Sequence, residues 1–242
     1  MVCLVLPQAP DYIMIKRGFD ILFSALGLMV SLPLWGIIAL AVKLHDGGPV
    51  FYRQPRVGKD GRVFTGLKFR SMVTDSDRKW GVAPAVADDP RITKVGKVLR
   101  ATAMDELPQL WNILRGDMSF VGPRPEWVEL VKKFRAEIPR FDLRHRVRPG
   151  LTGLAQVYGH SEISRRNKLR YDLLYARRQS FGLDLRLVLV SFAVTLAGGW
   201  ERRAGKISRR RPRVHPLPTS AAPAWRPETS LSESPSHSPA SS

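Results

Sequence analysis

Residues 21–42 read ILFSALGLMVSLPLWGIIALAV, an uncharged run bracketed by Lys16-Arg17 on one side and Lys43-Leu44-His45-Asp46 on the other. At ~1.5 Å of rise per residue, such a helix is long enough to reach across a bilayer core of roughly 30 Å. The flanks argue against a simple crossing. Lys16 and Arg17 precede the run, and Lys43, Arg53, Arg56, Lys59 and Arg62 follow it, so the positive-inside rule keeps both ends cytoplasmic. Pro33 removes a backbone donor and clashes with the carbonyl one turn earlier, which predicts a kink, with Ser31 placed to satisfy freed backbone groups. A helix that enters the membrane, bends and returns meets both observations; the alternative is a kinked span with a short N-terminus outside. Removal as a signal peptide is disfavoured, because the run is too long and no small-residue cleavage site follows it.

Working outward, a chain of 242 residues with 44% apolar composition has room for one catalytic domain with a sizeable core. The net charge of +18 calls for an anionic partner: a phosphorylated substrate, acidic headgroups or nucleic acid. Cys3 is the sole cysteine, which excludes an intrachain disulfide and a thiolate metal cluster. Residues 50–54 and 62–69 flank an Asp60-Gly61 turn and predict a β-hairpin whose end carries Lys68 and Arg70. Residues 74–89 read as a polar loop, 126–135 and 168–178 as helices, and Arg148-Pro149-Gly150 onward as a punctuated loop. Residues 183–200 are apolar, but Asp184 and Arg186 leave too short a span, so a core or interfacial helix is expected. The basic, Pro/Ser-rich end should be disordered. The expected organisation is an N-terminal extension at 1–12, a re-entrant helix at 13–46, a catalytic domain at 47–200 and a tail at 201–242. The fold class is α+β, mainly helical with a small hairpin.

The chemistry concentrates in Asp105-Glu106-Leu107-Pro108-Gln109 and in the stretch from Gly116 to Glu126. Leu107, Leu110, Trp111 and Leu114 have helical spacing, so a short helix should begin at or just after Asp105. Asp105 then has two readings: an ordinary helix cap with Glu106 in the first turn, or a nucleophile in a positive field beside a metal-binding neighbour. Arg100, Arg124 between two prolines, Lys68 and Arg70 supply enough cations to cradle a diphosphate. A membrane-tethered nucleic-acid-binding protein is the rival from another class, motivated by net charge and the arginine-rich tail. That tail lacks interleaved aromatics, and no nucleic acid is expected.

These residues together resemble a known family. The motifs that carry the resemblance run from Lys16-Arg17 and Asp20 through Gly48-Pro49-Val50-Phe51, Gln54, Arg56-Val57-Gly58 and Lys68-Phe69-Arg70. They continue in Arg91-Ile92-Thr93, Leu99-Arg100, Asp105 to Gln109, Asn112, Gly116 to Ser119 and Val121 to Pro125. Arg148-Pro149-Gly150, Thr152-Gly153, Ala155-Gln156, Tyr171-Asp172 and Asp184 complete them. The chain is similar to the bacterial sugar transferases, specifically short-form monotopic polyprenyl-phosphate phosphoglycosyl transferases. That resemblance implies that Asp105 attacks the β-phosphate of a UDP-sugar, releases UMP and passes the phosphosugar to polyprenyl (undecaprenyl) phosphate, initiating lipid-linked glycan or exopolysaccharide synthesis. It implies Glu106 as a Mg²⁺ ligand and Lys68, Arg70, Arg100, Arg124, Arg148 and Gln156 as substrate- and phosphate-binding residues. It also implies a re-entrant helix, a site on the cytoplasmic face of the bacterial inner membrane, and compatibility with a homo-oligomer. Two departures stand out: Leu32 precedes Pro33 where the family often has serine, and Thr152-Gly153-Leu154-Ala155-Gln156-Val157-Tyr158-Gly159-His160 differs from the usual loop, which bears on sugar identity.

Overall fold

The computed structural model describes residues 10–76, 89–159 and 163–196. The expected tail at 201–242, most of the 74–89 loop and His160 lie outside the described residues. Helix α1, Pro10–Asp46, contains Pro33, the residue that kinks it. Near the kink the Ser31 hydroxyl donates to the Leu28 carbonyl at 3.3 Å and accepts from the Trp35 indole at 3.1 Å. The hairpin follows as predicted, with β1 (Phe51–Val57) antiparallel to β2 (Val63–Phe69), and Asp60 and Gly61 both at positive φ in the turn.

The remaining elements are mainly helical: α2 (Lys94–Ala101), α3 (Gln109–Arg115), α4 (Val128–Glu137), α5 (Leu154–Tyr158), α6 (Arg165–Arg178) and α7 (Phe181–Leu196). Thr93 caps α2 by accepting from the Gly96 N–H at 2.8 Å, and Ser164 caps α6. Two short strands and α5 were not predicted. Strands β3 (Ser119–Val121) and β4 (Gly150–Thr152) pair in parallel, so Pro149-Gly150 opens a strand within what read as a loop. Three-residue strands are too short to display a period. Their backbones approach so closely that a Cβ on Gly150 would lie 2.0 Å from the Gly122 nitrogen. The core packs around these pieces: Val121, Leu154, Tyr175 and Leu187 in one cluster, Val57, Val131, Phe134 and Leu169 in another.

α1 docks along its whole length against this domain. At its start the Lys16 ammonium donates to Asp184 at 2.5 Å and to the Tyr175 hydroxyl and Val121 carbonyl at 3.1 Å each. The Asp20 carboxylate accepts from the Ser119 hydroxyl and the Phe120 N–H, both at 3.1 Å. At its end Ile38 and Val42 are buried with Phe69 and Leu99, and Asp46 pairs with Arg70. A helix held by one body at both ends does not place those ends on opposite sides of a bilayer, which is the monotopic arrangement.

The face turned away from the domain is apolar: Leu22, Met29, Val30, Leu32, Ile37 and Leu40 are exposed, and only 11% of the most apolar window is buried. α7 adds exposed Leu185, Leu189, Phe192 and Leu196 while burying Asp184, Leu187 and Val194, so it is both a core helix and an interfacial one. Exposed apolar area on this scale marks a membrane-facing surface. In sealed vesicles of a Cys3→Ser chain, Asp11→Cys and Asp60→Cys should therefore label from the same side with an impermeant thiol reagent. Labelling from opposite sides would show that α1 crosses.

Candidate active site

The helix expected at Asp105 begins later. Ala103, at φ 55°, reverses the chain after α2, and Met104–Glu106 form a separate 3₁₀ turn before α3 starts at Gln109. Pro108 occupies the N-cap position of α3 and provides no side-chain cap. Asp105 is therefore not the cap of that helix. The acids protrude from a tight turn whose position is set by its neighbours. Asn112, fully buried in α3, donates its amide N–H to the Thr65 carbonyl at 2.8 Å and accepts from the Leu67 N–H at 3.1 Å, which ties α3 to β2. Arg17 donates to the Ile113 and Leu114 carbonyls at 2.7 Å each, closing the far end of α3.

Lys68, near the end of β2, donates to Glu106 Oε1 at 2.5 Å and stands 3.8 Å from Asp105 Oδ2. Arg124, in the Gly122-Pro123-Arg124-Pro125 segment after β3, donates to the same Glu106 oxygen at 2.5 Å. Four of the expected residues thus converge: Asp105, Glu106, Lys68 and Arg124. Arg100, half-buried on α2, acts on Asp105 through its charge. Arg70 is elsewhere; β2 ends at Phe69, and beyond it the guanidinium turns to Asp46 and Thr74, so its alternation with Lys68 does not carry it to the acids. Arg148 belongs to the segment whose carbonyl packs on Gly122, next to the Arg124 loop. Gln156 lies on α5 beside Gly153, with neither end of its amide hydrogen-bonded.

The two adjacent acids have opposite electrostatic fates. Burial pushes both carboxyls up, but at Glu106 the charges of Arg124 and Lys68 more than reverse this and hold the group well below the usual carboxylate range. Arg124 is in turn raised by Glu106. At Asp105 burial prevails: Lys68 opposes it, the Glu106 charge reinforces it, and the carboxyl sits above its ordinary 3.8. Glu106 is a locked anion, while Asp105 is a buried carboxylate without an equivalent partner.

Several supporting residues carry no sequence signal of their own. Arg144 and Asp172, both 2% exposed, form a 2.8 Å ion pair, and Arg144 also donates to the Arg124 carbonyl at 2.7 Å. Arg56 donates to the Pro125 carbonyl at 2.9 Å and lies over the Trp127 ring at 5.2 Å; burial and the nearby Arg124 charge lower it to about 10. Glu126 pairs with Lys168, whose charge together with that of Arg144 outweighs the cost of burial and brings the carboxyl to about 2. Arg56 and Asp172 had surfaced within motifs and Glu126 at the end of the Gly116 to Glu126 stretch, none of them with a role in the site.

Comparison with known proteins supplies context for this geometry. The family described as "Bacterial sugar transferase" matches residues 11–198. The chain is 42% identical over 193 residues to the UDP-N-acetylgalactosamine-undecaprenyl-phosphate N-acetylgalactosaminephosphotransferase of Aeromonas hydrophila, covering 78% of this chain and 45% of that protein. It is 46% identical over 182 residues to the UDP-glucose:undecaprenyl-phosphate glucose-1-phosphate transferase of Klebsiella pneumoniae, covering 73% and 39%. It is 40% identical over 199 residues to the exopolysaccharide production protein ExoY of Sinorhizobium fredii, covering 76% and 87%. The chain therefore spans less than half of the first two relatives and most of the third.

The unequal acids lead to a linked expectation. A carboxyl raised by folding stabilises the protein while protonated, and that contribution is lost as pH rises through its folded value. Ionised Asp105 is then a liability near neutrality. Asp105→Asn should match or exceed the parent in Tm at about pH 7, by up to about 4 °C, with the gain shrinking as pH falls toward 3.8. Thermal melts at both pH values check this; a clear loss of Tm at neutrality would mean that ionised Asp105 is held as a structural anion.

Proposed function

Because the chain belongs to the bacterial sugar transferase family, we propose that it transfers a sugar 1-phosphate from a UDP-sugar to undecaprenyl phosphate at the cytoplasmic face of the inner membrane. The observation that carries this reading is the pairing of a locked anion, Glu106, with a raised and less constrained neighbour, Asp105, beside two cations and a membrane-facing surface. Adjacent carboxyls with separated proton affinities are suited to different tasks. An ionised Asp105 oxygen attacks the β-phosphorus; the bond to the bridging oxygen breaks and its electron pair leaves with UMP. An oxygen of undecaprenyl phosphate then attacks the same phosphorus, the acyl-phosphate bond breaks, and the Asp105 carboxylate is restored. Lys68 and Arg124 offset the negative charge that develops on the phosphoryl oxygens.

Asp105 and Glu106 are hard oxygen donors, and no cluster of three or more His, Cys, Asp or Glu side chains occurs among the described residues. Such a set fits Mg²⁺, which takes one or two carboxylates and fills its other positions with water and substrate phosphates. Glu106 would hold the ion, with Lys68 and Arg124 giving up part of their hold on its carboxylate to substrate. A bound Mg²⁺ supplies charge neutralisation on the diphosphate and on the leaving phosphate. Arg100, Arg148 and Gln156 border this region as further substrate contacts. The relatives name different sugars, N-acetylgalactosamine and glucose, so the donor is defined here as a UDP-hexose.

Purified protein given Mg²⁺, undecaprenyl phosphate and a panel of UDP-sugars should release UMP with at least one of them, and chelation should stop it. Asp105→Asn should lower kcat by about 10³-fold or more, as expected when a nucleophile is removed. Normal turnover by that variant would remove Asp105 from the reaction.

A further inference from the structure

Gln54 stands in the middle of β1, 7% exposed, with a buried Oε1 that has no hydrogen-bond partner. A buried acceptor left unpaired is costly, so its retention calls for a partner. Its setting supports this. Gln54 faces Gly66 across the hairpin, so no side chain stands opposite it. Tyr52, Gln54 and Arg56 alternate onto one face of β1, and together with Lys68 and Arg124 they line a cleft. Two of those residues, Lys68 and Arg124, are the cations that hold Glu106.

On the transfer reading above, we infer that Gln54 is a binding residue for the sugar of the donor, its side-chain carbonyl accepting a hydrogen bond from a hydroxyl of the hexose ring. In an in-line displacement the leaving UMP lies opposite the attacking oxygen, while the sugar oxygen is an equatorial substituent beside it. Lys68 is within 3.8 Å of Asp105, so the cleft it lines flanks the nucleophile. The group housed there is the one that stays attached to phosphorus through both steps, which is the sugar. An acceptor built to meet a hydroxyl disfavours a ligand that lacks one at that place.

The test uses the full chain carrying Asp105→Asn, which binds without turnover, with and without Gln54→Leu. Leucine keeps much of the volume and removes the unpaired carbonyl, so Tm should hold or rise. By calorimetry, Gln54→Leu should weaken UDP-glucose or UDP-N-acetylgalactosamine, whichever the parent binds, by about 10- to 100-fold and leave UDP unchanged. Unchanged UDP affinity also reports an intact site, and Gln54→Met serves in place of leucine if the first variant misfolds. Equal weakening of UDP and UDP-sugar would assign Gln54 to the nucleotide and overturn the inference, as would no weakening at all. Failure of the parent to bind any UDP-sugar would overturn the transfer reading and this inference with it.

Discussion

One carboxylate, that of Glu106, joins the parts of the site. Its Oε1 accepts from Lys68 at the end of the hairpin and from Arg124 beyond β3, two segments far apart in sequence that are also joined by the Arg56 hydrogen bond to the Pro125 carbonyl. A largely buried anion requires such partners, because its desolvation is otherwise uncompensated. Satisfying Glu106 consumes much of the local positive charge, and Asp105, next to it in the chain, is left with burial prevailing. The difference between the two acids is thus a consequence of geometry rather than residue type.

The membrane helix and the acid turn are mechanically linked. Arg17 of α1 closes the C-terminal end of α3, the helix that begins just after the acids, and Asn112 fastens that same helix to the strand carrying Lys68. Farther along, Leu28 of α1 packs in the cluster of Leu110, Ile113 and Met118. Exposed Val98 and Trp111 lie on α2 and α3, the helices on either side of the acid turn. Exposed apolar side chains therefore flank the acid turn on both sides, as the proposed meeting of a water-soluble nucleotide sugar with a lipid phosphate requires.

Much of this was legible in the sequence, for identifiable reasons. The uncharged run over 21–42 and Pro33 announced α1, and Asp60-Gly61 announced the hairpin, because those features act locally. The basic flanks of α1 implied that both ends share one side, and the docking of Lys16 and Asp46 to one domain gives that a structural basis. Other features depended on distant partners. Pro149-Gly150 read as loop because β4 exists only through pairing with β3. Asp105 read as a cap because Leu107, Leu110 and Leu114 continue a helical period that the 3₁₀ turn interrupts. Arg70 read as a companion of Lys68 because alternation cannot show where a strand ends. Arg144, buried beneath the Arg124 loop, looked like one cation among many in a strongly basic chain.

The central claim is that Asp105 becomes covalently bonded to the phosphosugar. Incubating the protein with UDP-sugar and Mg²⁺ without a lipid acceptor, quenching in acid and mapping peptides by mass spectrometry tests it directly. The expected result is the mass of a sugar phosphate on the peptide containing Asp105, absent in Asp105→Asn and discharged by undecaprenyl phosphate. UMP release in step with lipid product, with that peptide unmodified throughout, would contradict it and indicate direct transfer between substrates.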